Sequence, residues 1–214
     1  MVYVSPVRLV LLLGLAYLLG SIPVGLILAK LFAGSDIRKS GSGNIGATNV
    51  ARVIGPVAGI LTLILDVAKG ALAVLLGGPF TEHSATAAML LGMAALLGHC
   101  FPVWLKFKGG KGVAPALGVF LMLAPLAALG ALLVFILVSV AWRYVSLGSV
   151  SAAAAMPLLM YFLWAPGHAP PLVVDFGTLF AAALVIFKHD ANLQRLVDGT
   201  EPKFSFGSSK GDAA

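Results

Sequence analysis

Charge is what this sequence lacks: only 10% of its 214 residues are Asp, Glu, Lys or Arg, while 60% are hydrophobic and the mean hydropathy is +1.03. A soluble domain carries roughly 25% charged residues, so a water-facing surface is excluded and lipid is the expected solvent. Cysteine is nearly absent too. The single Cys100 excludes an intramolecular disulfide and any CxxC pair, and four scattered histidines restore no metal-ligand spacing. No metal or cofactor is expected, nor a nucleic-acid partner or an obligatory protein partner. No small-residue cleavage pattern follows the apolar stretch after Arg8, so a removed signal peptide is not expected.

What fills the chain instead is apolar sequence. A spanning helix needs about 20 such residues, and stretches of that kind run over 9–29, 53–77, 84–105, 126–142 and 172–187, with a shorter one at 150–164. The stretch 113–124 gives about 18 Å of helix, short of a hydrocarbon core of roughly 30 Å. Sidedness decides how it is counted, because cytoplasmic loops carry the excess of Lys and Arg. With seven spans one side receives Lys30, Arg38, Lys39, Arg52, Lys106, Lys108, Lys111, Arg143, Lys188, Arg195, Lys203 and Lys210. The other receives Arg8, Glu82, His83, His168 and the Pro/Gly-rich turn 165–171. Fusing 113–124 with 126–142 would put Arg143 opposite Lys106–Lys111. The expected fold is therefore an all-α integral membrane protein with seven transmembrane helices, N-terminus outside and C-terminus cytoplasmic. It forms one domain, 1–203, with a Ser/Gly-rich tail, 204–214, expected to be disordered.

Three longer cytoplasmic loops and the C-terminal segment carry specific polar groups. The first contains Ser40, Gly41, Ser42, Gly43, Asn44, Gly46, Thr48, Asn49 and Arg52; its glycines free the backbone for close approach to a ligand, and successive N–H groups can form an anion nest. The second runs from Gly98-His99-Cys100-Phe101-Pro102 to Gly109-Gly110-Lys111-Gly112, ahead of a helix that tolerates Pro115 in its first turn. It lacks Walker A spacing. The third is Arg143 to Ser149, where Ser149 is expected to cap the sixth helix. The segment 188–201 holds His189 and Asn192 at i and i+3, on one helix face, with Glu201 beyond.

In this topology segments two, four and six all start on the cytoplasmic side, so their N-termini present free N–H groups and positive dipole ends to one compartment. With Arg52 and Lys111 they are expected to surround a phosphate-bearing ligand. Asp66 and Lys69, at i and i+3 within segment two, read equally as functional groups or as a mutually neutralising structural pair. His99 and Cys100 are adjacent, which on a helix points the side chains apart and argues against a Cys nucleophile with a His base.

These loops resemble, over nearly the whole chain, the bacterial membrane-bound acyl-phosphate:glycerol-3-phosphate acyltransferases, the PlsY family. The matching pieces are Ser40 to Asn44 continuing through Gly46-Ala47-Thr48-Asn49 to Arg52, Gly98-His99 with Phe101-Pro102, Gly109 to Gly112, and Lys188-His189 with Asn192 through Gly199-Thr200-Glu201. The resemblance implies seven membrane helices in the bacterial cytoplasmic membrane, an active site facing the cytoplasm, and transfer of a fatty acyl group from a long-chain acyl phosphate to the 1-position of glycerol 3-phosphate. It implies that Ser42, Arg52, Lys111, Ser149, His189 and Asn192 lie around two phosphate substrates, with Gly43, Asn44, Gly109, Gly110, Gly112 and Glu201 completing the binding set. One departure is Asp190, where a basic residue is expected.

An acyl phosphate is already activated, so proximity and preorganised donors should suffice. His189, Asn192, Ser149 and Lys111 are the catalytic candidates, with His189 or a substrate phosphate as the base. Direct transfer without an acyl-enzyme is expected, since no Ser/His/Asp order or HxxxxD-type pair is present. The alternative is a transporter of a phosphorylated solute, which would also aim helix N-termini at an anion.

Overall fold

The computed structural model describes residues 5–81, 84–164 and 168–204; the readings made for Glu82, His83, residues 165–167 and the tail from 205 onward fall outside these. All regular elements among the described residues are helices, the form in which an apolar run satisfies its own backbone in lipid. Helix α1 (Pro6–Gly20) begins where the Ser5 hydroxyl accepts the Arg8 N–H. It does not run unbroken to Ala29: Pro23 lacks an N–H, and the chain leaves helical form at Ser21–Pro23 before α2 (Val24–Ala33). Gly34, with φ of 61°, closes α2.

The short helix α3 (Ala47–Val53) follows the first glycine-rich loop and folds against α4 (Pro56–Gly77). Segment two thus starts at Pro56, and Arg52 belongs to the last turn of the separate α3. Next come α5 (Ala85–Cys100), α6 (Val113–Leu123), α7 (Pro125–Trp142), α8 (Val145–Leu163), α9 (Leu172–Phe187) and α10 (Asp190–Val197). The split at Pro125 falls where the sequence places it. The sixth segment starts at Val145 rather than 150, so Ser149 is no cap; it lies in the second turn of α8 and donates its hydroxyl to the Val145 carbonyl at 2.8 Å. Asp190, exposed at the start of α10, is an acid at the positive end of a helix dipole.

Five stretches are long and apolar enough to cross a membrane: Pro6–Ala33 taken across its break, Pro56–Phe80, Ala85–Leu105, Pro125–Trp142 and Val145–Leu163. Helices α9 and α10, bent by 55°, make a sixth when taken together. Helix α6 is the exception, with 11 residues, about 16 Å at 1.5 Å per residue. It packs on the middle of α4. A Cβ at Gly70 would meet the Pro115 carbonyl oxygen at 2.2 Å, and one at Gly118 the Val67 oxygen at 2.0 Å, so these backbones touch as small residues allow in membranes. The loop leading into α6 lies with Gly110 against the His99 ring, which stands 3.7 Å from Asp66.

The main core joins Met89 and Leu96 of α5, Phe120 of α6, Ala127 of α7 and Met156 and Met160 of α8. A second cluster, Leu26, Ile37, Ile45 and Val50, supports the first glycine-rich loop. The outward side chains Ile64, Leu133, Phe162 and Phe176 are exposed, as a lipid-covered surface permits.

Candidate active site

A cavity of about 740 Å³ opens among α3, α4, the end of α5, α6, α7, α8, α9 and α10. Ser42, Asn44, Arg52, Lys111, Gly112, Ser149, His189, Asn192 and Glu201 all line it. Gly43, Gly109 and Gly110 do not; they shape the two loops from behind. The expected helix starts are partly corrected. Residues at the starts of α6 and α8 reach the cavity, but the third contribution is Gly46, Ala47 and Thr48 at the start of α3, not the start of α4.

The first loop is folded around one side chain. Asn49, 2% exposed, accepts the Ser42 N–H at 2.8 Å and donates to the carbonyls of Asn44 at 2.8 Å and Ser40 at 3.1 Å. Gly41 and Gly43 adopt φ of 60° and 70°, and a Cβ on Gly41 would meet the Asn49 amide oxygen at 2.2 Å. The second loop doubles back on the end of α5: the N–H groups of Gly109 and Gly110 donate to the carbonyls of Cys100 and His99 at 3.2 and 3.0 Å.

From Lys111 a chain of polar contacts crosses the site. Its ammonium donates to the Asn192 amide oxygen, Asn192 donates to Glu201 at 2.6 Å, and Arg195 donates to the other Glu201 oxygen at 2.8 Å. Burial, aided by the nearby Arg195 and Arg52 charges and opposed by Glu201, lowers the Lys111 ammonium to about 8. Burial by itself would raise the Glu201 carboxyl, but hydrogen bonds from donors including Asn192 and Arg195 outweigh it and hold it below its ordinary value. Asn192→Ala strands the Lys111 ammonium and a Glu201 oxygen in a poorly hydrated site. It is therefore expected to lower both Tm and kcat/KM, the latter by roughly tenfold or more, with Glu201→Gln milder; unchanged kinetics in Asn192→Ala would remove this chain from the reaction.

His189 is 3% exposed, and its Nδ1 lies 2.7 Å from the Val185 carbonyl. An acceptor there places the proton on Nδ1 and leaves the lone pair on Nε2. Burial, with the Lys111 charge adding to it and the Val185 bond opposing, brings His189 down to about 4, so it is neutral at physiological pH.

Deeper in the cavity lie two groups that sequence reasoning did not place there, Asp66 and His99. The Asp66 carboxylate pairs with Lys69 at 2.9 Å, and Lys69 also donates to the Ile22 carbonyl at the α1–α2 break at 3.0 Å. His99 Nδ1 stands 3.7 Å from Asp66. The pair thus ties two helices together while Asp66 also faces the cavity. Cys100 is fully buried and does not line the cavity. Ser146 and Arg195 were also missed as lining residues, and Thr48 and Asn49, named among the first loop's polar groups but left out of the binding set, line the cavity as well; the signal for Asn49 was an amide just after a loop with three glycines in six residues, Gly41, Gly43 and Gly46.

Beyond this polar end the wall becomes apolar, with Phe120, Ala131, Phe135, Ala152, Met156 and Ala181, where alanines on three helices leave an open slot. Cations and backbone N–H groups at one end and a hydrocarbon slot at the other suit an amphiphile with an anionic head.

The sequence model of the glycerol-3-phosphate acyltransferase family matches residues 10–199. A glycerol-3-phosphate acyltransferase of Syntrophotalea carbinolica is 54% identical over 189 residues, covering 88% of this chain and 94% of that protein. One of Trichlorobacter lovleyi is 57% identical with the same coverage. The crystal structure of PlsY (YgiH), an integral membrane glycerol 3-phosphate acyltransferase, in its glycerol 3-phosphate form superposes with a TM-score of 0.84 at 40% identity, over 92% of this chain and 96% of that one. Its lysophosphatidic acid form gives 0.82 at 39% identity, over 92% and 95%. On this agreement of sequence, fold and cavity, the chain belongs to the glycerol-3-phosphate acyltransferase family and is a membrane acyltransferase.

Proposed function

We propose that this enzyme transfers a long-chain acyl group from acyl phosphate to the 1-hydroxyl of sn-glycerol 3-phosphate, giving lysophosphatidic acid and inorganic phosphate. The observation that carries the reading is that one cavity has both a cationic, N–H-rich end and an apolar slot. The glycerol 3-phosphate and lysophosphatidic acid forms of the PlsY structure support the acceptor and the product.

In this reading Arg52, Lys111 and the loops carrying Ser42, Gly43, Asn44, Gly109, Gly110 and Gly112 hold the two phosphates, and Glu201 keeps Lys111 and Asn192 in place. Ser149 and Asn192 orient the glycerol hydroxyls. The 1-hydroxyl oxygen attacks the acyl carbonyl carbon, the bond from that carbon to the phosphate oxygen breaks, and the hydroxyl proton leaves with the phosphate. A neutral His189 lowered to about 4 is a weak base, which supports the phosphate as proton acceptor and His189 as the group that aligns the hydroxyl through Nε2. Cations and N–H groups stabilise the oxyanion as it develops. Residues 1–203 act as one seven-span catalytic domain with N-terminus outside and the site facing the cytoplasm, the arrangement that puts the Lys and Arg excess inside.

The test is phosphate release and lysophosphatidic acid formation by the protein purified in lipid, given glycerol 3-phosphate with palmitoyl phosphate or palmitoyl-CoA. Product from acyl phosphate alone is expected. Product from the CoA ester alone overturns the donor, and no product from either, in folded protein, overturns the reading in favour of solute transport. Acyl label retained on denatured protein would overturn direct transfer.

A further inference from the structure

A second depression, of about 620 Å³, lies against the other side of both glycine-rich loops. Gly43 and Gly109 line it, while their neighbours Ser42, Asn44 and Lys111 line the main cavity. Its remaining wall includes Arg38, Trp104, Lys106, Phe107, Lys108 and Lys188. Arg38 is paired with Asp36 at 2.6 Å. Among the described residues no ion pair involves Lys106, Lys108 or Lys188; Lys188 donates to the Cys100 carbonyl and lies over the Phe101 ring.

The backbone here is forced. Lys106 and Phe107 are consecutive non-glycine residues with φ of 50° and 62°, a left-handed conformation that a Cβ disfavours and that clusters at ligand clamps. Its outcome is that Trp104 and Phe107 stand 61% and 59% exposed at the end of the span Ala85–Leu105. Exposed aromatics at a span's end belong at headgroup level, and basic depressions between helices at that level suit anionic lipid heads. A free phosphate would use the lysines and leave the aromatics idle.

We propose that this depression binds the headgroup of an acidic phospholipid of the surrounding bilayer, and that its occupation holds the two glycine-rich loops in the arrangement that forms the phosphate end of the main cavity. Binding is therefore coupled to substrate affinity, and the coupling is reciprocal.

The experiment compares the full-length protein with the double variant Lys106→Gln/Lys108→Gln and with Trp104→Ser. The first readout is the phosphatidylglycerol that remains with protein purified from phosphatidylcholine bilayers containing about one quarter phosphatidylglycerol, by mass spectrometry, with and without glycerol 3-phosphate. Retention by the parent, increased by glycerol 3-phosphate and lost in both variants, is expected. The second is kcat/KM for glycerol 3-phosphate in phosphatidylcholine with and without phosphatidylglycerol. The parent should gain roughly fivefold or more, while the variants match it in phosphatidylcholine and gain nothing. Equal retention, or an equal lipid response in parent and variants, overturns the proposal. So does activation by inorganic phosphate in phosphatidylcholine alone, which would make this a simple anion site, or by a soluble acidic protein without lipid retention. The activity readout rests on the acyltransfer reading, whereas retention does not: retention without product from any donor sinks that reading and leaves the lipid site standing.

Discussion

Gly109→Ala is expected to reduce acyl transfer at least hundredfold, about 3 kcal/mol of transition-state stabilisation. A Cβ at this position would sit 2.1 Å from the His99 carbonyl oxygen, 2.4 Å from Pro102 Cδ and 2.9 Å from the Cys100 carbonyl oxygen. These are main-chain or ring atoms on the end of a packed helix and cannot turn aside. The loop must therefore lift, breaking the Gly109 and Gly110 hydrogen bonds to α5 and carrying Lys111 away from Asn192. Gly110→Ala is different in kind, because the atoms nearest its Cβ all belong to the His99 side-chain ring, at 2.1 to 3.0 Å. Pairing Gly110→Ala with His99→Ala should recover part of the lost activity, whereas Gly109→Ala should gain nothing from the same partner. Near-normal kcat/KM in Gly109→Ala would show that the loop's position does not matter to the reaction.

Lys111→Ala should cost roughly 100- to 1000-fold in kcat/KM, the effect of removing one preorganised charge from an oxyanion-type site. The pH dependence tests the same group without mutation. Because the Lys111 ammonium is held at about 8, the free enzyme loses this cation as pH rises through 8, and kcat/KM for glycerol 3-phosphate falls. Stability runs the other way. Between about 8 and the ordinary lysine value of 10.5 the unfolded chain binds more protons at this site than the folded one, so this lysine's contribution to stability increases with pH across that window. Activity that declines while Tm does not is thus the signature, and Lys111→Arg, which stays charged, should abolish the decline even where its rate is lower. A kcat/KM profile flat from pH 7 to 9, measured with about saturating donor, would separate Lys111 from phosphate recognition.

Much of the architecture was written in the chain's local pattern. Apolar runs bounded by Pro and Gly located the long helices, and Pro125 divided α6 from α7, because those signals act through neighbouring residues alone. The same pattern hid the break at Ser21–Pro23, where apolar sequence continues on both sides of the proline. It misplaced the start of α8, since Ser146 and Ser149 read as polar loop although Ser149 satisfies its hydroxyl on its own helix. Within the site, motif residues such as Ser42, Arg52, Lys111, His189 and Asn192 do converge on one cavity. What could not be read is which of them touch. Lys111 and Asn192 are 81 residues apart, and Asp66 joins the wall only because α6 and the end of α5 meet α4 at its middle, a consequence of glycine-to-carbonyl packing that no periodicity encodes.

The bond from Lys69 to the Ile22 carbonyl bears on how the chain is made. A helix carrying Asp66 and Lys69 into the bilayer by itself meets a penalty of roughly 2.5–3.5 kcal/mol for each charge near its centre. Their mutual pairing removes part of it, and the carbonyl at the α1–α2 break, lying outside both helices, accepts one of the remaining ammonium protons. That carbonyl belongs to a span synthesised earlier. A fault at Pro23 or Lys69 is therefore expected to lower the yield of membrane-integrated protein, read by membrane fractionation of the expressed chain, before it lowers the rate of the enzyme.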